Sequence, residues 1–275
     1  MADRTYLFID GEYLRRIHRE AMQSFFAADG DLELSGVMWK AQASRAYFYD
    51  SLDDIPRPGE DELACRARIA PLEEFFAGVR DLSGFHVRLG TVTGQGKRRR
   101  QKEVDILLAV DMLTHGFNGS MEKAILLAGD LDFRPIIETL VRNGVFVEIW
   151  YHHTSVAQDL PGAADFGHPI RFRQLYDWNT QTFKDAHHVP RHHEQGGDHA
   201  GGTPLKLGTV AGCKAELYQW QSPLFHLWIY ADRFRSIVIA DENLELLERY
   251  VAAQYAPIQW EFRGDEVRIA NAGAS

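Results

Sequence analysis

Ala124-Ile-Leu-Leu-Ala128-Gly-Asp130-Leu-Asp132-Phe-Arg-Pro-Ile-Ile-Glu-Thr-Leu-Val-Arg142-Asn-Gly144-Val-Phe-Val-Glu-Ile-Trp-Tyr151 reads as two strands with a helix between them. Residues 124–128 form a short apolar run that stops at Gly129-Asp130, which is the length and punctuation of a buried strand. A helix is expected from about residue 133 to 142, closed by Asn143-Gly144. Residues 145–151 are again dense in β-branched and aromatic side chains, so a second strand is expected there. Strands joined through a helical crossover lie parallel, because the helix returns the chain to the same end of the sheet.

Upstream, Thr5-Tyr-Leu-Phe-Ile9 reads as a buried strand that stops at Asp10-Gly11. Leu14, Ile17, Ala21 and Phe25 then recur on one helical face. Residues 45–49 read as a strand, 60–80 as a helix, 85–92 as a strand and 103–113 as a helix. Between the last two, Thr93-Gly-Gln-Gly-Lys97-Arg98-Arg99-Arg100-Gln101-Lys102 reads as a flexible basic loop. The expected fold class is therefore α/β, a mostly parallel sheet with helices on both faces, over residues 1–180. Ligands of such sheets bind beyond the carboxyl ends of the strands, at the point where strand order reverses.

Downstream, residues 181–204 are dominated by His, Gly and Pro and read as a linker. Its five histidines from His187 to His199 show no regular ligand spacing. Residues 205–275 read as a small α+β module. Strands are expected near 215–219, 225–231 and 235–240, then an amphipathic helix through Leu244, Leu247 and Val251, then a strand or hairpin over 259–270.

Composition removes several classes. The 275 residues are 45 % hydrophobic and 25 % charged, the balance of an ordinary globular protein. The N-terminus has no basic segment followed by a sustained apolar run, and no stretch reaches the roughly 18 apolar residues of a membrane span. Cys65 and Cys213 are far apart and form no CxxC pair, which suits a reducing compartment and supplies no structural zinc site. A cytoplasmic location is expected. The formal net charge is −9, yet net charge says little where carboxylates await divalent cations, because bound metal reverses the local sign.

Acids stand at three structurally special places. Asp10 ends the first strand, Asp130 and Asp132 follow the strand 124–128, and Asp105 opens the helix after the basic loop. Each has an ordinary reading too: Asp10 and Asp132 as helix N-caps, Asp105 as a partner of its helix dipole. Together they form a pattern that capping alone does not call for. Two carboxylates about 4 Å apart repel by roughly 4 kcal/mol at an effective dielectric near 20. Mg²⁺ or Mn²⁺, hard cations that prefer oxygen donors, would relieve that repulsion and support phosphoryl chemistry.

At these residues the sequence resembles the NYN family, a branch of the PIN-like nucleases. Leu7-Phe-Ile-Asp10-Gly-Glu-Tyr-Leu14, Lys102-Glu-Val-Asp105-Ile-Leu-Leu-Ala-Val-Asp111-Met-Leu113 and Leu126-Leu-Ala-Gly-Asp130-Leu-Asp132-Phe133 occur in the family's order. Gly144-Val-Phe-Val-Glu-Ile149, Ser155 to Leu160 and Ala164-Asp165 complete the likeness, which covers about residues 5–176. The resemblance implies a three-layer α/β/α fold and a metal-dependent ribonuclease activity, with Asp10, Asp105, Asp130 and Asp132 as the metal-binding, catalytic acids and Mg²⁺ or Mn²⁺ as cofactor. Lys102 matches as well and could hold a phosphate or the carboxylates. Asp111 also matches, but lying six residues after Asp105, about 120° away around a helix, it reads as a supporting or structural residue. Tyr13 stands where the family commonly has Asn, and Ala128 where it has Ser, so substrate positioning is where this chain is expected to differ.

Two other enzyme classes fail on their own motifs. A haloacid-dehalogenase-type phosphatase needs a nucleophilic Asp where this chain has Phe8, and a dinucleotide fold needs Gly-x-Gly-x-x-Gly after the first strand. The remaining rival is a PIN-like domain that binds RNA or a protein without cutting. RNA is the expected partner, gripped through its backbone by Lys97, Arg98, Arg99, Arg100 and Lys102. Residues 205–275 could serve oligomerisation, a protein partner, or base stacking through Tyr218, Trp220, Trp228 and Tyr230.

Overall fold

The computed structural model describes residues 4–93, 100–102, 104–196, 203–219, 223–232 and 234–261, with backbone only at 91–93 and 100–102. The chain divides into two compact units, Met1–Lys184 and Asp185–Ser275.

The first unit starts with β1 (Thr5–Asp10), whose Leu7, Phe8 and Ile9 are fully buried. Such a continuous apolar run belongs to a central parallel strand covered on both faces. It leads directly into α1 (Gly11–Phe26), where Leu14, Ile17, Met22 and Phe25 form the buried stripe. Then follow α2 (Leu34–Ala41), β2 (Arg45–Ser51), α3 (Glu62–Asp81), β3 (Phe85–Thr93), β4 (Arg100–Lys102), α4 (Val104–Phe117) and β5 (Lys123–Leu127). A short 3-10 turn over Leu131–Phe133 precedes α5 (Arg134–Arg142), β6 (Phe146–His152), β7 (Phe166–Ile170), α6 (Phe172–Asp177) and α7 (Gln181–Ala186).

The strand order is β4-β3-β2-β1-β5-β6-β7. Six strands are parallel, and the short edge strand β4 runs antiparallel to β3. From β1 the chain first builds outward through β2 and β3, then crosses back and continues outward on the other side through β5. The order therefore reverses between β1 and β5. One face of the sheet, with Tyr6, Phe8, Tyr47 and Tyr49, packs on Val104, Leu108 and Met112 of α4 and on Ile137 and Leu140 of α5. On the other face Phe48 meets Phe75 and Phe76 of α3, with ring centroids 5.8 and 6.2 Å away, and α1 lies against β2 and α6. The result is the expected three-layer α/β/α arrangement.

The second unit is an antiparallel sheet of β8 (Arg191–Gly196), β9 (Lys206–Val210), β10 (Cys213–Gln219), β11 (Phe225–Tyr230), β12 (Arg235–Asp241) and β13 (Gln259–Trp260), in the order β13-β9-β10-β11-β12-β8. Helix α8 (Leu244–Gln254) packs on β12 and buries Leu247, Tyr250 and Val251. Its N-cap is Asn243, which accepts the Leu246 N–H at 3.0 Å.

Two expectations need correction here. The segment 181–204 is not simply a linker, because it supplies α7 and the edge strand β8. Phe183 anchors α7, its ring edge-on to Phe26 at 5.7 Å. Strand β8 pairs with β12 from Arg191↔Ala240 to Gly196↔Arg235, and His192 is hydrogen-bonded to the hydroxyls of Tyr250 (2.9 Å) and Tyr255 (3.0 Å). A ladder is made by backbone groups, so an edge strand can be polar and leave no apolar periodicity in the sequence. Likewise Arg100–Lys102, read as part of a loop, pair with Thr91–Thr93. The remainder of the expected terminal strand, 262–270, lies outside the described residues.

Candidate active site

Asp10 sits at the carboxyl end of β1 and caps α1, its Oδ1 accepting the Tyr13 N–H at 3.0 Å. Asp130 stands just beyond β5, and its Oδ1 accepts the Asp132 N–H at 3.0 Å, capping the 3-10 turn. Asp130, and not Asp132, does the local capping here. Both acids therefore lie at the reversal of strand order, the crevice where parallel sheets bind ligands. Asp105, in the first turn of α4, faces the same space.

These three acids line one open cleft of about 470 Å³, together with Glu12, Tyr13 and Arg16 of α1, Gly129, and Ser155 and Ala157 beyond β6. Asp132 is exposed and does not line it. Their charges act on one another. Burial pushes the Asp10 carboxyl up to about 7, helped by Asp105, Glu12 and Asp50, and opposed by the Tyr13 N–H. Burial likewise raises Asp105, followed by Asp130, Asp132 and Glu12. Crowded oxygen donors that resist ionisation are the chemical setting in which a hard cation binds with gain. Among the described residues, however, no three Asp, Glu, His or Cys side chains are gathered into a metal-binding group. The donors suit Mg²⁺ or Mn²⁺ in kind, and they share a cleft without forming a closed shell.

Glycines let this edge close up. A Cβ on Gly11 would lie 2.5 Å from Phe48 Cζ and 2.6 Å from Asp50 Oδ2. One on Gly129 would lie 2.3 Å from the Ser155 carbonyl oxygen and 2.4 Å from Tyr13 Cε2. Tyr13 is buried, and its hydroxyl accepts the His152 N–H at 2.8 Å, tying α1 to the end of β6. The large side chain at this position is thus a strut of the site's wall. Burial pushes its hydroxyl up to about 12.

Other expected residues fall elsewhere. Asp111 accepts from the Tyr49 hydroxyl (2.9 Å) and from Arg88 Nε (3.1 Å) and Nη2 (3.3 Å), which fastens α4 to β2 and β3. Lys102 and Arg100 lie on β4 at the sheet edge, and Lys97, Arg98 and Arg99 lie outside the described residues. His152 and His153 have ring centroids 4.8 Å apart. His152 reaches the wall of the site through its backbone N–H, which donates to the Tyr13 hydroxyl.

The sequence reading passed over Glu12, Arg16, Asp50 and Arg15. Asp50 is buried beside Gly11 and held by a two-pronged ion pair, Arg15 Nε–Oδ2 at 2.8 Å and Nη2–Oδ1 at 2.9 Å. Burial raises its carboxyl, and Arg15 works against that rise. One signal was available, since Asp50 ends its strand region much as Asp10 does. Arg15, at ordinary helical spacing, carried none.

No curated protein matches the chain. The crystal structure of a protein of unknown function from Vibrio parahaemolyticus is similar to it, at 17 % identity and a TM-score of 0.46, over 62 % of this chain and 93 % of that one. Residues 4–170 match the NYN domain family, a span that holds Asp10, Asp105, Asp130 and Asp132 and the whole β1/β5 crevice. The chain belongs to the NYN family of the PIN-like superfamily.

Proposed function

We propose that this protein is a divalent-cation-dependent ribonuclease that hydrolyses phosphodiester bonds at the β1/β5 crevice. The observation that carries the reading is the convergence of Asp10, Asp105 and Asp130 from three separate elements on one cleft. Capping explains Asp10 and Asp130 singly, but it does not explain why their charges meet. Mg²⁺ or Mn²⁺ held by these acids would supply Lewis acidity and the charge that offsets a phosphate in in-line displacement. Asp10, whose carboxyl burial and then neighbouring acids push up, would be held ionised by a bound cation, whose charge offsets both costs. Asp105 and Asp130 would hold the cation together with Asp10, and the charge of Asp132, which acts on Asp105, would add to its attraction. Tyr13 and Ser155 line the same cleft and would bound the space open to substrate.

The test is cleavage of an end-labelled single-stranded RNA with Mn²⁺, Mg²⁺ or EDTA, comparing the native chain with Asp130→Asn. Cutting that needs the cation and disappears in the variant supports the reading. A folded native chain that binds RNA and never cuts would instead support a binding module. Two observations favour that second reading: the acids form no closed metal group among the described residues, and Tyr13 occupies the wall beside Asp10.

A further inference from the structure

Arg16 is the cationic side chain among the residues that line the acidic cleft. It lies on α1 one turn beyond Glu12 and Tyr13, with Cζ 5.5 Å from the centre of the Tyr13 ring. Its ion-pair contact is to Glu20, at 4.0 Å, and both side chains are about half exposed. A pair of that length and exposure is worth little. Among the described residues the guanidinium takes part in no other ion pair and donates no hydrogen bond, although it carries five N–H donors.

An arginine beside several carboxylates would ordinarily turn toward them and neutralise them, as Arg15 does with Asp50. Arg16 does not. The Tyr13 ring supports its guanidinium from one side. Tyr13 is itself fixed by the His152 N–H at 2.8 Å and by close packing on Gly129. The side chain that fills the wall of the site thus also holds a planar, two-pronged cation at the rim. Such a fork matches the oxygens of a phosphodiester, which a compact ammonium does not.

We propose that Arg16, braced by Tyr13, is the positioning residue that clamps a backbone phosphate of a single RNA strand next to the bond to be cut; this rests on the ribonuclease reading above. The acids and their cation act on the scissile phosphate, while Arg16 holds a neighbouring one and fixes the strand's register. Its contribution is to binding, made equally in the ground and transition states, so it appears in KM and not in kcat.

The experiment compares native chain, Arg16→Gln and Arg16→Lys. Cleavage of a labelled single-stranded oligoribonucleotide in Mn²⁺ gives kcat and KM. Fluorescence anisotropy, in an Asp130→Asn background that stops turnover, gives affinity as a function of NaCl. Arg16→Gln is expected to raise KM and Kd about tenfold and to flatten the slope of log K against log salt by about 0.7, with kcat within about twofold. Arg16→Lys keeps the salt slope and recovers only part of the affinity, because the charge remains and the fork is lost. Unchanged Kd and salt slope in Arg16→Gln overturn the proposal, and so does a fall in kcat at constant KM. Failure of the ribonuclease reading looks different: then the native chain itself does not cut the RNA, whether or not it binds it.

Discussion

Replacing Asp10 by asparagine removes a charge that the fold resists, and is expected to stabilise the metal-free protein at neutral and alkaline pH. Asparagine keeps the volume and an oxygen that can cap the Tyr13 N–H. The native carboxyl rises from 3.8 to about 7, through burial first and then through Asp105, Glu12 and Asp50. Between those values the folded chain holds a proton that the unfolded chain has released. Stability is therefore fully present below pH 3.8 and is lost as pH rises through about 7. At about 1.4 kcal/mol per pH unit, the full loss is about 4 kcal/mol, of which roughly 2–3 kcal/mol falls between pH 5 and pH 8. Urea unfolding of both proteins in EDTA at those two pH values measures it. The native chain should lose roughly 2–3 kcal/mol more than Asp10→Asn over that interval. Parallel pH dependences would refute the argument, showing that solvent or rearrangement relieves the crowding without a cation.

Arg15→Leu strips the partner from buried Asp50; a destabilisation of about 3 kcal/mol is expected by urea denaturation, since breaking a buried pair strands its other charge. Gly129→Ala drives a Cβ against the Ser155 carbonyl oxygen, so it should lower the thermal midpoint by several degrees and weaken Mn²⁺ binding measured by calorimetry, whereas Gly144→Ala, where nothing lies nearby, should cost only the strain of its positive φ of 79°. Reversing charge at Arg98, Arg99 and Arg100 together should weaken RNA binding most at low salt and flatten its salt dependence. An unchanged slope would remove the basic run from the RNA path.

Much of the fold was legible because its physics is local. Tyr6 to Ile9 and Ala124 to Leu127 are apolar runs too dense for anything but a strand buried on both faces, and the helix between residues 133 and 142 carries its own stop at Asn143-Gly144. The four aspartates were picked out by their positions at strand ends and helix starts, which are sequence properties. Strand β8 was hidden for the opposite reason: its role rests on backbone pairing with β12, and its side chains are Arg, His, Glu and Gln. Helix α2 and strand β7 escaped notice too, one being eight residues long and the other five with Gly and Pro inside.

What the sequence determined by itself is the alternation of strands and helices, because periodicity and punctuation act over a few neighbouring residues, and the family and the candidate acids, which rest on short motifs met in order along the chain. The tertiary structure alone decided which acids meet. It set Asp10, Asp105 and Asp130 around one cleft and left Asp132 outside its wall. It gave Asp111 to Tyr49 and Arg88, and it made Tyr13 a strut with Arg16 lying on its ring. Those outcomes depend on the reversal of strand order between β1 and β5 and on close approaches at Gly11 and Gly129. Both are distances between residues far apart in the chain, fixed only when the layers pack.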